Sequence, residues 1–235
     1  MVTKNSHVAS VVLPLPIREC WPYFRDPALI REWHGWEDDA LDAEITQIFV
    51  DVARVGEDHR SINFGTHLFN FFEGDGTTLL EVHRAPLDEG SEWADYLPEI
   101  DEGWTTFIQQ LRFKLERHRD DSRRTIYYNG TPKDPTISPV QWLGLGQVGL
   151  QKIGATYGAT VGPGDALTGT LWFTSANQVG VTVDAWGDGL LVVTNGSAGG
   201  PPYTRGEAIL TTYGLDDEQR EDLAARWSTW WGRHY

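Results

Sequence analysis

The side chains of this sequence best suited to chemistry are two histidines and a glutamate in two neighbouring β-prone stretches: His67 in INFGTHLFNFF, and Glu81 and His83 in TTLLEVHR. Imidazole and carboxylate groups relay protons near neutral pH and ligate divalent metals, so His67, Glu81 and His83 gathered inside an aromatic cleft would suit a general base or a metal. Strand alternation puts His67, Phe69 and Phe71 on one face, and Leu79, Glu81 and His83 on one face of the next strand. The alternative puts Leu80, Val82 and Arg84 inward and leaves Glu81 and His83 as an outer charge pair. No G-x-S-x-G elbow, H-E-x-x-H pair or phosphate-binding loop occurs. GLGQVG at 144–149 carries three glycines but follows a helix start where a phosphate-binding loop requires a preceding strand. No catalytic residue, metal or cofactor is therefore expected.

The one cysteine, Cys20, falls in the apolar run of a predicted helix and reads as a small buried side chain. A single cysteine excludes an intramolecular disulfide and a multi-cysteine metal cage, so a reducing cytoplasm is the expected compartment. The larger resource is aromatic, because the chain carries 11 tryptophans. Trp21, Phe24, Trp33, Trp36, Phe64, Phe69 and Trp104 in the first half, with Trp142, Tyr157, Trp172, Trp186 and Trp227 in the second, are the candidate lining of an apolar ligand pocket.

The elements that must position these residues follow from periodicity. HVASVVL at 7–13 alternates as a strand and stops at Pro14 and Pro16. Ile17, Cys20, Trp21 and Phe24 keep helical spacing until Asp26-Pro27, where a second short helix begins; Glu37 to Asp42 is an acidic loop. EITQIFVDV, INFGTHLFNFF and TTLLEVHR read as strands, the last two joined by a hairpin at Glu73-Gly74-Asp75-Gly76. Residues 85–100 read as an irregular connection. From Asp101 a long helix carries Trp104, Phe107, Ile108, Leu111 and Leu115 on one stripe.

The second half repeats this order: a strand at 123–129, a helix start at Ser138-Pro139 weakened by Gly144 and Gly146, strands at TGTLWF, QVGVTVDAW, GLLVVTN and GEAILTTY, and a closing helix. Asp216 is its N-cap with Gln219 three residues on, and Leu223, Trp227, Trp230 and Trp231 form its buried stripe. Aligning Arg233-His234 with Arg117-His118 sets Trp231 over Leu115, Trp227 over Leu111 and Leu223 over Phe107. Two consecutive domains, 1–118 and 123–235, are the expected organisation.

Residues 13–36, LPLPIRECWPYFRDPALIREWHGW, resemble the opening of START-like (SRPBCC) domains, particularly the branch related to activators of heat-shock protein 90 ATPase. There a strand leads into a helix with a Trp, a DP break and a second Trp, here Trp21, Asp26-Pro27 and Trp33. Residues 74–84 and 101–118 are similar to the same branch's final strand and helix. The resemblance covers the first half nearly end to end and the second through its final strands and helix. It implies an α+β helix-grip fold in two tandem copies, each a curved antiparallel sheet around a long C-terminal helix, with a hydrophobic pocket between. The first copy holds fewer or shorter middle strands than the family pattern. Such proteins serve as lipid or polyketide carriers, cyclases, hormone receptors or chaperone activators, and the fold does not choose among them.

Charge narrows the partners. The formal charge is −15 from 19 basic and 34 acidic residues, and residues 1–118 hold −12 of it, which repels phosphate backbones and anionic membrane surfaces. MVTKNSHVAS lacks an apolar core of signal-peptide length, and no stretch nears the roughly 20 apolar residues that span a bilayer. The leading expectation is non-catalytic binding of a small hydrophobic molecule between sheet and C-terminal helix. The alternatives are a chaperone-activator-like module whose acidic first half docks on a basic protein partner, and a cyclase or hydrolase using His67 or His83 as base.

Overall fold

The computed structural model describes residues 7–87, 90–196 and 199–235, so residues 1–6 of the N-terminal segment and residues 88 and 89 of the connection at 85–100 lie outside the described residues. The chain divides into two compact units, Met1–Asp120 and Asp121–Tyr235, each with its own antiparallel sheet.

In the first unit β1 (His7–Leu13) leads into α1 (Ile17–Cys20), a 3-10 turn over Trp21–Phe24 and α2 (Pro27–Arg31). Asp26 caps α2 by accepting from the Ala28 amide at 2.9 Å, and Pro27 follows where its missing N–H costs no hydrogen bond.

EITQIFVDV, expected as a strand, is instead helical: α3 (Leu41–Ile45) runs into a wider π-helical stretch, Thr46–Val52. Leu41, Ile45 and Phe49 recur every four residues and are buried, while Val50 and Val52 are exposed. The helix thus buries one coherent apolar face, which overrides the strand preference of the β-branched residues.

β2 (Arg54–Val55), β3 (Ser61–Asn63), β4 (His67–Glu73) and β5 (Thr78–Arg84) follow. INFGTHLFNFF is therefore two strands, separated where Gly65 adopts φ +81°. Glu73 pairs with Thr78 across the expected hairpin. The strand order is β1-β5-β4-β3-β2, so the opening strand lies beside the closing one. α4 (Leu97–Arg117) starts four residues ahead of Asp101, with Pro98 in its first turn, a position that prolines favour.

The second unit contains β6 (Arg124–Gly130), α5 (Pro139–Trp142), β7 (Thr156–Val161), β8 (Asp165–Thr174), β9 (Gln178–Val183), β10 (Gly189–Thr194), β11 (Gly206–Thr212) and α6 (Asp217–His234). Its order, β6-β11-β10-β9-β8-β7, again puts first beside last. β7 was not expected from the sequence, because Gly158 and the surrounding glycines mask its alternation. QVGVTVDAW stays extended only to Val183, after which Asp184–Trp186 forms a 3-10 turn and Gly187 and Asp188 take left-handed conformations that return the chain into β10.

Both closing helices bury the faces that the alignment paired: Phe107, Leu111 and Leu115 in one core, Leu223, Trp227 and Trp231 in the other. Trp230, expected in the buried stripe, is only half-buried against that core and stacks on His234, with ring centroids 4.2 Å apart. The α+β helix-grip arrangement therefore occurs twice, on two separate sheets.

Candidate functional site

His67, Glu81 and His83 do not assemble. His67 lies on the inner face of β4 with its side chain fully buried, whereas β5 buries Leu80 and Val82 and turns Glu81 and His83 outward. Outside, His83 Nε2 lies 3.1 Å from Glu81 Oε2, and the His83 ring meets that of His7 across β1 and β5 at 5.3 Å. That is the outer charge pair of the alternative arrangement. Inside, the register pairs His67 with Arg84.

Both His67 and Arg84 converge on Asp101, at the second turn of α4. His67 Nε2 is 2.7 Å from Asp101 Oδ1, Arg84 Nε donates to Oδ2 at 2.8 Å, and the Arg84 Nη2 group donates to the same oxygen. Because the carboxylate accepts, Nε2 carries the proton, and Nδ1 faces the Thr66 hydroxyl at 3.0 Å. Both ring nitrogens are thus engaged and buried, which leaves His67 none for a substrate. Burial pushes the Asp101 carboxyl up, but hydrogen bonds from His67 and Arg84, with the guanidinium charge, outweigh it and hold the group below the usual carboxylate range. The cluster clamps α4 to the sheet. Asp101 was legible in the sequence only as a helix-start acid, since its partners are 34 and 17 residues away.

The aromatic residues of the first unit pack on one another. Phe24, Trp33, Phe64, Phe69 and Trp104 are buried, with ring centroids 5.4 Å apart for Phe24 and Trp33, 4.9 Å for Phe64 and Phe69, and 4.8 Å for Phe69 and Trp104. Phe49, delivered by the unexpected helix, meets Trp33, Phe64 and Trp104 at 5.0 to 6.2 Å. Trp21 and Trp36 are half-buried against Phe71 and Phe107. Cys20 is enclosed, its thiol 3.4 Å from the Leu15 carbonyl oxygen, and burial raises it to about 11, far from the thiolate that reactivity requires.

In the second unit, a cleft of about 320 Å³ opens between the sheet and the N-terminal half of α6. Its apolar lining is Ala166, Leu167, Ala185, Trp186, Leu215 and Leu223; Asp165, Gln219, Asp222 and Arg226 supply the polar groups. β8 brings Asp165 to Leu167, and the turn after β9 brings Trp186. α6 supplies residues four apart because Asp216 and Gln219 cap it reciprocally, Gln219 N donating to Asp216 Oδ1 at 2.8 Å and Asp216 N to Gln219 Oε1 at 3.0 Å. Arg226 donates from Nε and Nη2 to the two oxygens of Asp165 at 3.3 and 3.4 Å, and from Nη1 to Asp222. Trp227 Nε1 donates to Asp165 Oδ2 at 3.1 Å.

Of the five aromatic residues expected to line a pocket in this half, Trp186 does so. Trp227 packs behind it at 5.8 Å, and Tyr157 is core, its hydroxyl donating to the Thr182 carbonyl at 2.9 Å and its acidity suppressed by burial. Trp142 sits against His234 and Tyr235, away from the cleft, and Trp172 is buried outside the core cluster that α6 completes. The sequence reading missed Asp165 and Arg226. Only the Asp222 to Arg226 spacing on a predicted helix signalled a pair. Among the described residues, no three His, Cys, Asp or Glu side chains are grouped to hold a metal ion, and no helix is long and apolar enough to cross a membrane.

No protein-family model and no curated protein matches the chain. Solved structures similar to it include DynU16, a protein of the dynemicin biosynthetic locus, at 18% identity over 97% of this chain and 96% of that one, with a TM-score of 0.30. The di-domain ARO/CYC BexL from the BE-7585A biosynthetic pathway shares 10% identity over 97% and 94%, with a TM-score of 0.33. The di-domain ARO/CYC StfQ from the steffimycin biosynthetic pathway shares 11% over 93% and 90%, with a TM-score of 0.29. At these TM-scores the likeness carries no weight for the site, and the fold stands on the strand orders and helices described above.

Proposed function

We propose that the chain binds a small hydrophobic molecule non-covalently, in the second unit, in the cleft between sheet and α6. The observation that carries this reading is the cleft, whose 320 Å³ reaches the size at which small-ligand sites start, ~300 Å³, and whose lining combines apolar side chains with Asp165, Gln219, Asp222 and Arg226. Further support comes from the resemblance of residues 13–36 to START-like domains, a class with ligand pockets beside the C-terminal helix; the finer placement beside activators of heat-shock protein 90 ATPase belongs to the same proposal. The reading is non-catalytic, since His67 offers no free nitrogen and Glu81 and His83 face outward. The first unit, its interior occupied by ring-on-ring packing, acts as a structural copy. A cytoplasmic location completes the proposal, supported by the single buried cysteine.

Native mass spectrometry of freshly purified protein tests it, alone and after incubation with apolar compounds of this volume. One small molecule per chain is expected for the native sequence. Much less is expected for Ala166→Phe, which fills the cleft from an exposed position. A chain that stays empty throughout, or takes up ligand equally in Ala166→Phe, contradicts the assignment.

A further inference from the structure

Resting on the cleft as the ligand site, we infer that its occupant is a hydrophobic amine, an apolar body ending in a protonated nitrogen. The charged groups of the lining are two carboxylates, Asp165 and Asp222, against one guanidinium, Arg226, which leaves the wall one net negative charge. Every guanidinium nitrogen of Arg226 already faces a carboxylate oxygen, Nε and Nη2 on Asp165 and Nη1 on Asp222. An anionic head group would have to displace one of these contacts while entering an acidic wall. Asp165 is fixed from a second side by the Trp227 indole, and its side chain is 17% exposed.

Asp222 differs. Its side chain is 65% exposed at the rim, and a carboxylate with one guanidinium contact keeps acceptor capacity for an incoming N–H. Trp186 adds a ring of the type that attracts cations. The apolar floor takes the body of the ligand and the acidic rim takes its head.

Three probes of equal chain length, octylamine, octanol and octanoate, separate the possibilities when titrated into the full chain near pH 7 with tryptophan fluorescence as readout. Octylamine is expected to bind tightest and octanoate weakest, with a gap of about tenfold in Kd that narrows as salt rises. Asp222→Asn is expected to narrow that gap severalfold. Octanoate binding as tightly as octylamine overturns the inference and leaves the cleft assignment standing. A gap unchanged by Asp222→Asn also overturns it, because the preference then belongs to the overall charge of the chain. Failure of all three probes to bind overturns the inference and the cleft assignment together.

Discussion

Asp101 shows how one side chain can serve as a clamp. It receives a histidine from β4 and an arginine from β5, so a helix and two strands meet at a carboxylate whose side chain is 18% exposed. Asp101→Asn keeps the shape and removes the charge, leaving buried donors poorly matched; the expected cost is about 2 kcal/mol of unfolding free energy by denaturant titration at pH 7. The sign of the pH dependence follows from the lowered folded-state pKa of Asp101. On acidification the unfolded chain takes up this proton at the ordinary aspartate value, the folded chain only below it. The contribution of Asp101 is therefore complete above about pH 4 and lost as pH falls through the folded value. The stability difference between the native sequence and Asp101→Asn is expected to shrink across that acid window; a difference that persisted there would contradict the clamp.

At the scale of elements, the closing helices organise each unit. α6 is the clearer case, because its reciprocal cap fixes where the helix starts and hence which residues face the sheet. Asp216→Ala is expected to lower stability by about 1 kcal/mol, measured by denaturant unfolding followed by circular dichroism. Much of this level was legible in the sequence. The caps at Asp26, Ser138 and Asp216, the hairpin at 73–76 and the stripes of both long helices are local signals, set by residues three or four apart, and the structure contains each of them. What was not legible depended on competition or distance. EITQIFVDV spells a strand locally, and only the core that receives Phe49 makes the helix win. The partners of Asp101 and Asp165 come from elsewhere in the chain, so no spacing rule reports them. The face of β5 that turns inward was open in the sequence because Leu80 and Val82 alternate with Leu79 and Glu81; burial of Leu80 and Val82 decides it.

For the whole molecule, two sheets with the same strand logic carry two differently filled interiors. The first unit has two very short middle strands and an interlocked set of buried rings; the second has six strands and a cleft beside its closing helix. Repetition of the fold therefore need not mean repetition of the site, and on the proposed reading the ligand-binding role falls to one copy. The most direct test is a two-dimensional amide and indole NMR titration of the full chain with octylamine. Saturable shifts are expected at Leu167, Trp186 and Leu223, with the Trp33 and Trp104 signals of the first unit unmoved. Shifts centred on Trp33 and Trp104, or no saturable shift anywhere, would contradict the account.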